Sequence, residues 1–77
     1  TTMITYGLPK DGMVQVSIYD VMGREVRNLV NGFKDAGYHS VTWDARNMSG
    51  ESVAAGMYIY TIQAGEFIST KKMVLLK

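Results

Sequence analysis

The stretch Met57-Tyr58-Ile59-Tyr60-Thr61-Ile62-Gln63 is β-branched or aromatic almost throughout. Such residues suit a pleated, half-buried surface, so this is the strongest predicted strand. Tyr58, Tyr60 and Ile62 share one of its faces. Ala64-Gly65 turns the chain back, and Glu66–Leu76 reads as a last strand. It ends in Met73-Val74-Leu75-Leu76, followed by Lys77.

Upstream, the same period of two recurs. Tyr38–Trp43 predicts a strand with His39, Val41 and Trp43 on one face and Tyr38, Ser40 and Thr42 on the other. Met13–Tyr19 places Val14, Val16 and Ile18 inward and Gln15 and Ser17 outward. Met3–Leu8 does the same with Ile4, Tyr6 and Leu8. Pro9-Lys10-Asp11-Gly12 joins these two as a turn, so together they read as a hairpin. Asp20-Val21-Met22-Gly23 is a second turn, with Asp first and Gly fourth.

Arg24–Val30 is ambiguous, because Val26, Leu29 and Val30 also suit one helical turn. It reads as a short strand, since an isolated helix of that length is marginal. Asn31–Gly37 reads as a polar loop. Asp44–Ser52 is the longest polar stretch and a surface loop, and Val53–Ala55 is too short to form an element alone. Roughly seven short strands at turn spacings of about 8–12 residues predict an all-β sandwich of immunoglobulin-like or fibronectin type III-like kind.

Length and composition narrow the function. The chain has 77 residues, which allows one domain spanning 1–77. Net charge is +1, too small for an evident nucleic-acid or membrane-surface stripe. There are no cysteines, which excludes disulfides and thiolate metal sites. No apolar run approaches the roughly 20 residues of a membrane span. Lys10 and Asp11 break the opening segment too early for a signal peptide. The start at Thr1 rather than Met reads as a fragment or processed product. A domain this small needs nearly every apolar side chain for one core, leaving few for a substrate cavity. The expectation is no enzyme and no cofactor.

Single residues point the same way. Trp43 is the only tryptophan and reads as core filling between sheets, with sugar stacking as the alternative. His39 is the only histidine, and adjacent Ser40 falls on the opposite strand face, the wrong geometry for a Ser-His pair. Asp44, Asn47, Ser49 and Glu51 are oxygen-rich, but Arg46 and Met48 stand where a calcium loop of EF-hand type needs ligands. Asx turns explain them, with an irregular calcium site as the open alternative. Asp11, Asp20, Glu25, Asp35, Asp44, Glu51 and Glu66 are scattered, with no spacing that forces a carboxylate pair. Tyr58 and Tyr60 read as half-buried packing, one hydroxyl anchored to backbone; a binding stripe is the alternative. Tyr6, Tyr19, Phe33, Tyr38 and Phe67 are further aromatics that a carbohydrate-binding module could use. Lys71 and Lys72 read as protection of an edge strand.

The order of motifs carries a resemblance. Thr1–Pro9, Val16–Val26, Ala36–Asp44, Ser49-Gly50 with Val53–Tyr60, and Thr70–Lys77 follow, in order, the pattern of a bacterial immunoglobulin-like family. It is the domain named after the flagellar hook-capping protein, and it resembles C-terminal sorting domains of type IX secretion. Ala45 stands where the family has Gly after Trp-Asp, so a positive φ there implies strain. Gly56 keeps its glycine, and the family's upstream Asn-Pro-rich segment is absent.

The resemblance implies a C-terminal module of a larger secreted protein. Its partners would be the upstream domains of that protein and an outer-membrane secretion machinery. The implied location is the cell surface or medium, reached through the periplasm. The implied recognition element is Lys71, Lys72, Met73, Val74, Leu75, Leu76 and Lys77, with Trp43, Val41, Tyr58, Tyr60 and Gly56 structural. The alternatives are a structural or adhesive carbohydrate-binding module and a hook-cap-like assembly domain.

Overall fold

The computed structural model describes residues 2–76; Thr1 and Lys77 lie outside the described residues. Six strands form among them: β1 (Thr2–Leu8), β2 (Gly12–Tyr19), β3 (Glu25–Lys34), β4 (Gly37–Trp43), β5 (Gly56–Ala64) and β6 (Phe67–Leu75). They build two antiparallel sheets, β1-β4 and β3-β2-β5-β6. The segment between β4 and β5 contributes only an isolated bridge, Arg46 with Ser52.

The inward faces are those the period of two predicts. Ile4, Tyr6 and Leu8 of β1 and Val14, Val16 and Ile18 of β2 are buried, as are Trp43, Tyr58, Ile62 and Leu75. Val41 and Tyr60 pack on this core half-buried. At about 25 cal/mol per Å² of apolar surface removed from water, that stack is the main term favouring the fold. Ser17, on the outer face of β2, is buried among polar neighbours and accepts a hydrogen bond from Asn28 Nδ2 at 3.1 Å.

Two sequence expectations are corrected. β1 and β2 do not form a hairpin: β1 pairs with β4, from Thr2 opposite Trp43 to Leu8 opposite Gly37. The Pro9–Asp11 connection crosses between sheets instead. Stacking the two apolar faces buries both, whereas a hairpin would set them side by side. Asp11 Oδ1 fixes the crossing by accepting from the Ala36 N–H at 2.6 Å, beside the β3–β4 turn.

The second correction is β3, which runs ten residues and absorbs Asn31–Lys34 instead of leaving them as loop. Its pairing with β2 slips twice: Val30 and Asn28 face Val16 and Ser17, and Arg27 and Glu25 face Ile18 and Tyr19. Leu29 and Val26 are therefore the extra residues of two β-bulges. Each bulge resets which face the next side chain takes. That is why Val26, Leu29 and Val30 mimic helical spacing.

A corner of aromatic contacts joins the sheets. Trp43, fully buried on β4, meets Tyr58 of β5 edge-on, with ring centroids 5.2 Å apart and planes at 72°. The indole Nε1 donates to the Arg46 carbonyl at 3.0 Å, and the Tyr58 hydroxyl donates to the Ala54 carbonyl at 2.6 Å. Both aromatics thus tie the Asp44–Ala55 segment to the core. Gly56 opens β5 at φ 147°, a conformation that a side chain would strain. Ala45 has φ 63°, so the strain implied by its replacement of glycine is present; its side chain is buried, which offsets part of the cost.

Replacing Tyr58 by Phe keeps the ring contact and removes the bond to Ala54. We expect a loss of about 1–2 kcal/mol, hence a thermal midpoint lower by roughly 5–10 °C, read by circular dichroism.

Candidate functional site: an open strand edge

Unequal sheets leave one side of the sandwich unfinished. Among the described residues β1 and β4 are each unpaired on one side of the small sheet, as are β3 and β6 at the two ends of the large one. Between β1 and β6 lies a groove of about 200 Å³ lined by Thr5, Tyr6, Gly7, Tyr60, Ile62, Phe67, Ser69 and Lys71. Polar and apolar groups share its lining, and Lys71 is its one cation.

The proposed recognition residues divide along β6. Lys71 pairs across from Tyr60 on the core-facing side, and Lys72 from Ile59 on the outer side. Both are exposed, and neither makes an ion pair among the described residues. Val74 and Leu76 are 62% and 84% exposed. Met73 is half-buried against the core and Leu75 is buried in it, so these two act as packing residues. Lys77 lies outside the described residues. The lysines were legible as opposite-face residues of an edge strand. The groove was not, because it depends on β1 pairing with β4.

Other candidates resolve into structure. His39 Nε2 lies 2.7 Å from the Asp35 carbonyl, and its ring stacks on Tyr6 at 5.5 Å. Ser40 points the other way, toward Thr5 at 3.4 Å between hydroxyl oxygens. Asn47 Oδ1 accepts from the N–H groups of Ser49 and Glu51, each at 3.0 Å, an Asx turn. Arg27 and Arg46 flank Asp44 at 3.6 and 4.0 Å. Among the described residues no three His, Asp or Glu side chains are grouped to hold a metal. The aromatics form no common platform: Tyr6 and Tyr58 are buried, Tyr38 lies exposed across Gly7 of the small sheet, and Phe33 and Phe67 belong to the large one. A larger hollow, about 530 Å³, lies at the turn end between Pro9–Val14 and Ala64–Phe67. Asp11, the carboxylate there with a fixed partner, is already engaged by Ala36.

Comparison with known proteins agrees with this geometry. Residues 4–66 match the family model of the FlgD Ig-like domain, and the chain belongs to that family. Strand β6 begins just beyond the matched residues. The solved structure of FlgD from P. aeruginosa superposes with a TM-score of 0.74 at 27% identity, over 95% of this chain and 58% of that one. The chain thus spans little more than half the length of that protein. No curated protein sequence matches.

The Asp20 turn between β2 and β3 has the clearest electrostatic signature. Its carboxyl is held below the usual aspartate range, first by the Arg24 N–H at 3.0 Å. The Met22 N–H at 2.9 Å and the Arg24 guanidinium at 3.1 Å add to this, against some desolvation. A depressed carboxyl stabilises the fold above its unfolded pKa of about 4 and loses that contribution as pH falls through the folded value. Asp20→Asn should therefore flatten the acid side of the stability profile below about pH 4, leaving the wild type the steeper of the two in urea titrations.

Proposed function

We propose that this chain is a non-catalytic attachment module of a larger protein, acting through its open strand edges. The observation that carries the reading is β6: an edge strand whose Lys71, Lys72 and Val74, with Leu76 just beyond, stand exposed. An edge offers unpaired backbone groups to a partner strand, and side chains at alternate positions supply selectivity. Membership in the FlgD Ig-like family and the likeness to FlgD support an assembly-type role without chemistry of its own. The proposal needs no cofactor, metal or nucleic acid.

In its finer form, the module is the C-terminal sorting and anchoring domain of an exported multidomain protein. An outer-membrane secretion machinery of type IX kind would read Lys71, Lys72, Val74, Leu76 and Lys77. Met73 and Leu75 would hold the strand in place. The product would reach the cell surface or medium after crossing the periplasm. A hook-cap-like assembly domain is the second reading, favoured by the superposition on FlgD.

The test is export of a reporter fused ahead of Thr1 in a bacterium with type IX secretion. A fusion lacking Met73–Lys77 removes the element, but it also removes Leu75 from the core. A second variant, Lys71→Glu with Lys72→Glu, keeps the core and reverses the charge. The sorting reading expects surface or medium delivery of the intact fusion and periplasmic retention of both variants. Equal export of intact and charge-reversed fusions contradicts it and leaves the assembly reading.

A further inference from the structure

Two adjoining rungs on the outward face of the large sheet carry no charge. Facing residues of paired strands point to the same side, so the registers sort that face into rungs. Asn31, Gln15 and Gln63 stand opposite one another on β3, β2 and β5. The next rung, Asn28, Ser17, Thr61 and Thr70, crosses all four strands. Glu25 and Lys72 come one rung later, beside Tyr19 and Ile59. The two central rungs thus hold amides and hydroxyls, with Ile68, opposite Gln63, as their apolar member.

The rungs differ in how they are held. Within the second, Asn28 Nδ2 donates to Ser17 Oγ at 3.1 Å, and the Thr61 and Thr70 hydroxyl oxygens lie 3.5 Å apart. In the first, all three amides are exposed and hold no partner among the described residues. Strands lie about 4.8 Å apart, so these amides form a row about 10 Å long across β3, β2 and β5. Phe33, 62% exposed and opposite Met13, flanks the row on the side away from the second rung.

This chemistry selects an occupant. Nucleic acid and anionic lipid call for cations, and neither rung has one. A protein partner seats an aromatic or aliphatic anchor at the centre of the contact, whereas here the centre is amide. Each amide both donates and accepts, as does each hydroxyl of a sugar. We propose that this row binds an uncharged linear polysaccharide lying across the strands. Its hydroxyls bond to Asn31, Gln15 and Gln63, and the C–H face of one sugar unit packs on Phe33.

The inference goes beyond the edge reading and does not rest on it. Its site is a sheet face, which stays accessible whether or not a partner strand engages β6.

The probes are cellohexaose, xylohexaose and mannohexaose. Each is titrated to about 5 mM into the ¹⁵N-labelled 77-residue chain, where Asn and Gln side-chain NH₂ groups are observed directly. A contact this small and polar implies a dissociation constant near millimolar and fast exchange. With at least one probe the proposal expects saturable shifts of the side-chain amides of Asn31, Gln15 and Gln63 and of the Phe33 backbone. Gln15→Ala with Gln63→Ala, both exposed changes that spare the core, should weaken binding at least about tenfold. Asn31→Ala should weaken it about threefold, and keeps the test available should the double variant fail to fold. Lys72→Ala should bind like the wild type. Raising salt from about 0.05 to about 0.5 M should leave the affinity unchanged, since no ion pair forms. No shifts with any of the three probes overturns the proposal. So do shifts confined to Tyr38, Trp43 or the β1–β6 groove, folded amide variants that bind like the wild type, or an affinity that falls with salt.

Discussion

Two strands have to shield four, and the molecule settles that mismatch at one corner. Trp43 on the small sheet is driven edge-on against Tyr58 of the large one, and each sends its polar group to the backbone of the Asp44–Ala55 segment. Burying an indole is favourable only if its N–H is satisfied; the Arg46 carbonyl does that. The segment that lacks strand structure of its own is thereby tied to the core, with Ala45 and Val53 packed on it. Away from that corner, β1 and β6 border the groove between the two sheets.

Much of this was legible in the sequence because a period of two has a simple physical meaning. Ile4, Tyr6 and Leu8, and Val14, Val16 and Ile18, sit inward as their alternation required. What alternation does not encode is the partner of each strand. β1 and β2 have equivalent apolar faces, and alternation alone does not say whether they pair side by side or stack in opposite sheets, as they do here. Bulges defeated the pattern at Val26 and Leu29, since each inserts a residue without changing composition. The strained Ala45 was visible by comparison with a family position, and its φ of 63° accords with that. The groove was beyond reach, because its walls come from strands whose neighbourhood depends on the crossing at Pro9–Asp11.

The proposed attachment role rests on the strand edges. The chain's core takes only part of its apolar side chains and leaves Met3, Phe33, Ile68, Val74 and Leu76 among those exposed; its histidine stacks on Tyr6, and Asp11, Asp20 and Asp44 are engaged by backbone N–H groups or arginines. Two edges of different character remain. β6 carries adjacent lysines and exposed Val74, suited to a partner that recognises charge as well as shape. β1 carries none, and borders a groove of mixed polar and apolar lining with a single cation. Membership in the FlgD Ig-like family fits a module whose contribution is attachment.

The account stands or falls on the β6 edge being open. Hydrogen exchange followed residue by residue on the isolated chain reads this directly, because an edge strand pairs only every second N–H with its neighbour. The prediction is slow exchange throughout β2 and β5, and along β6 an alternation of slow and fast amides. Continuous protection from Phe67 to Leu75 would mean that the outer side of β6 is already paired, and would contradict an open edge.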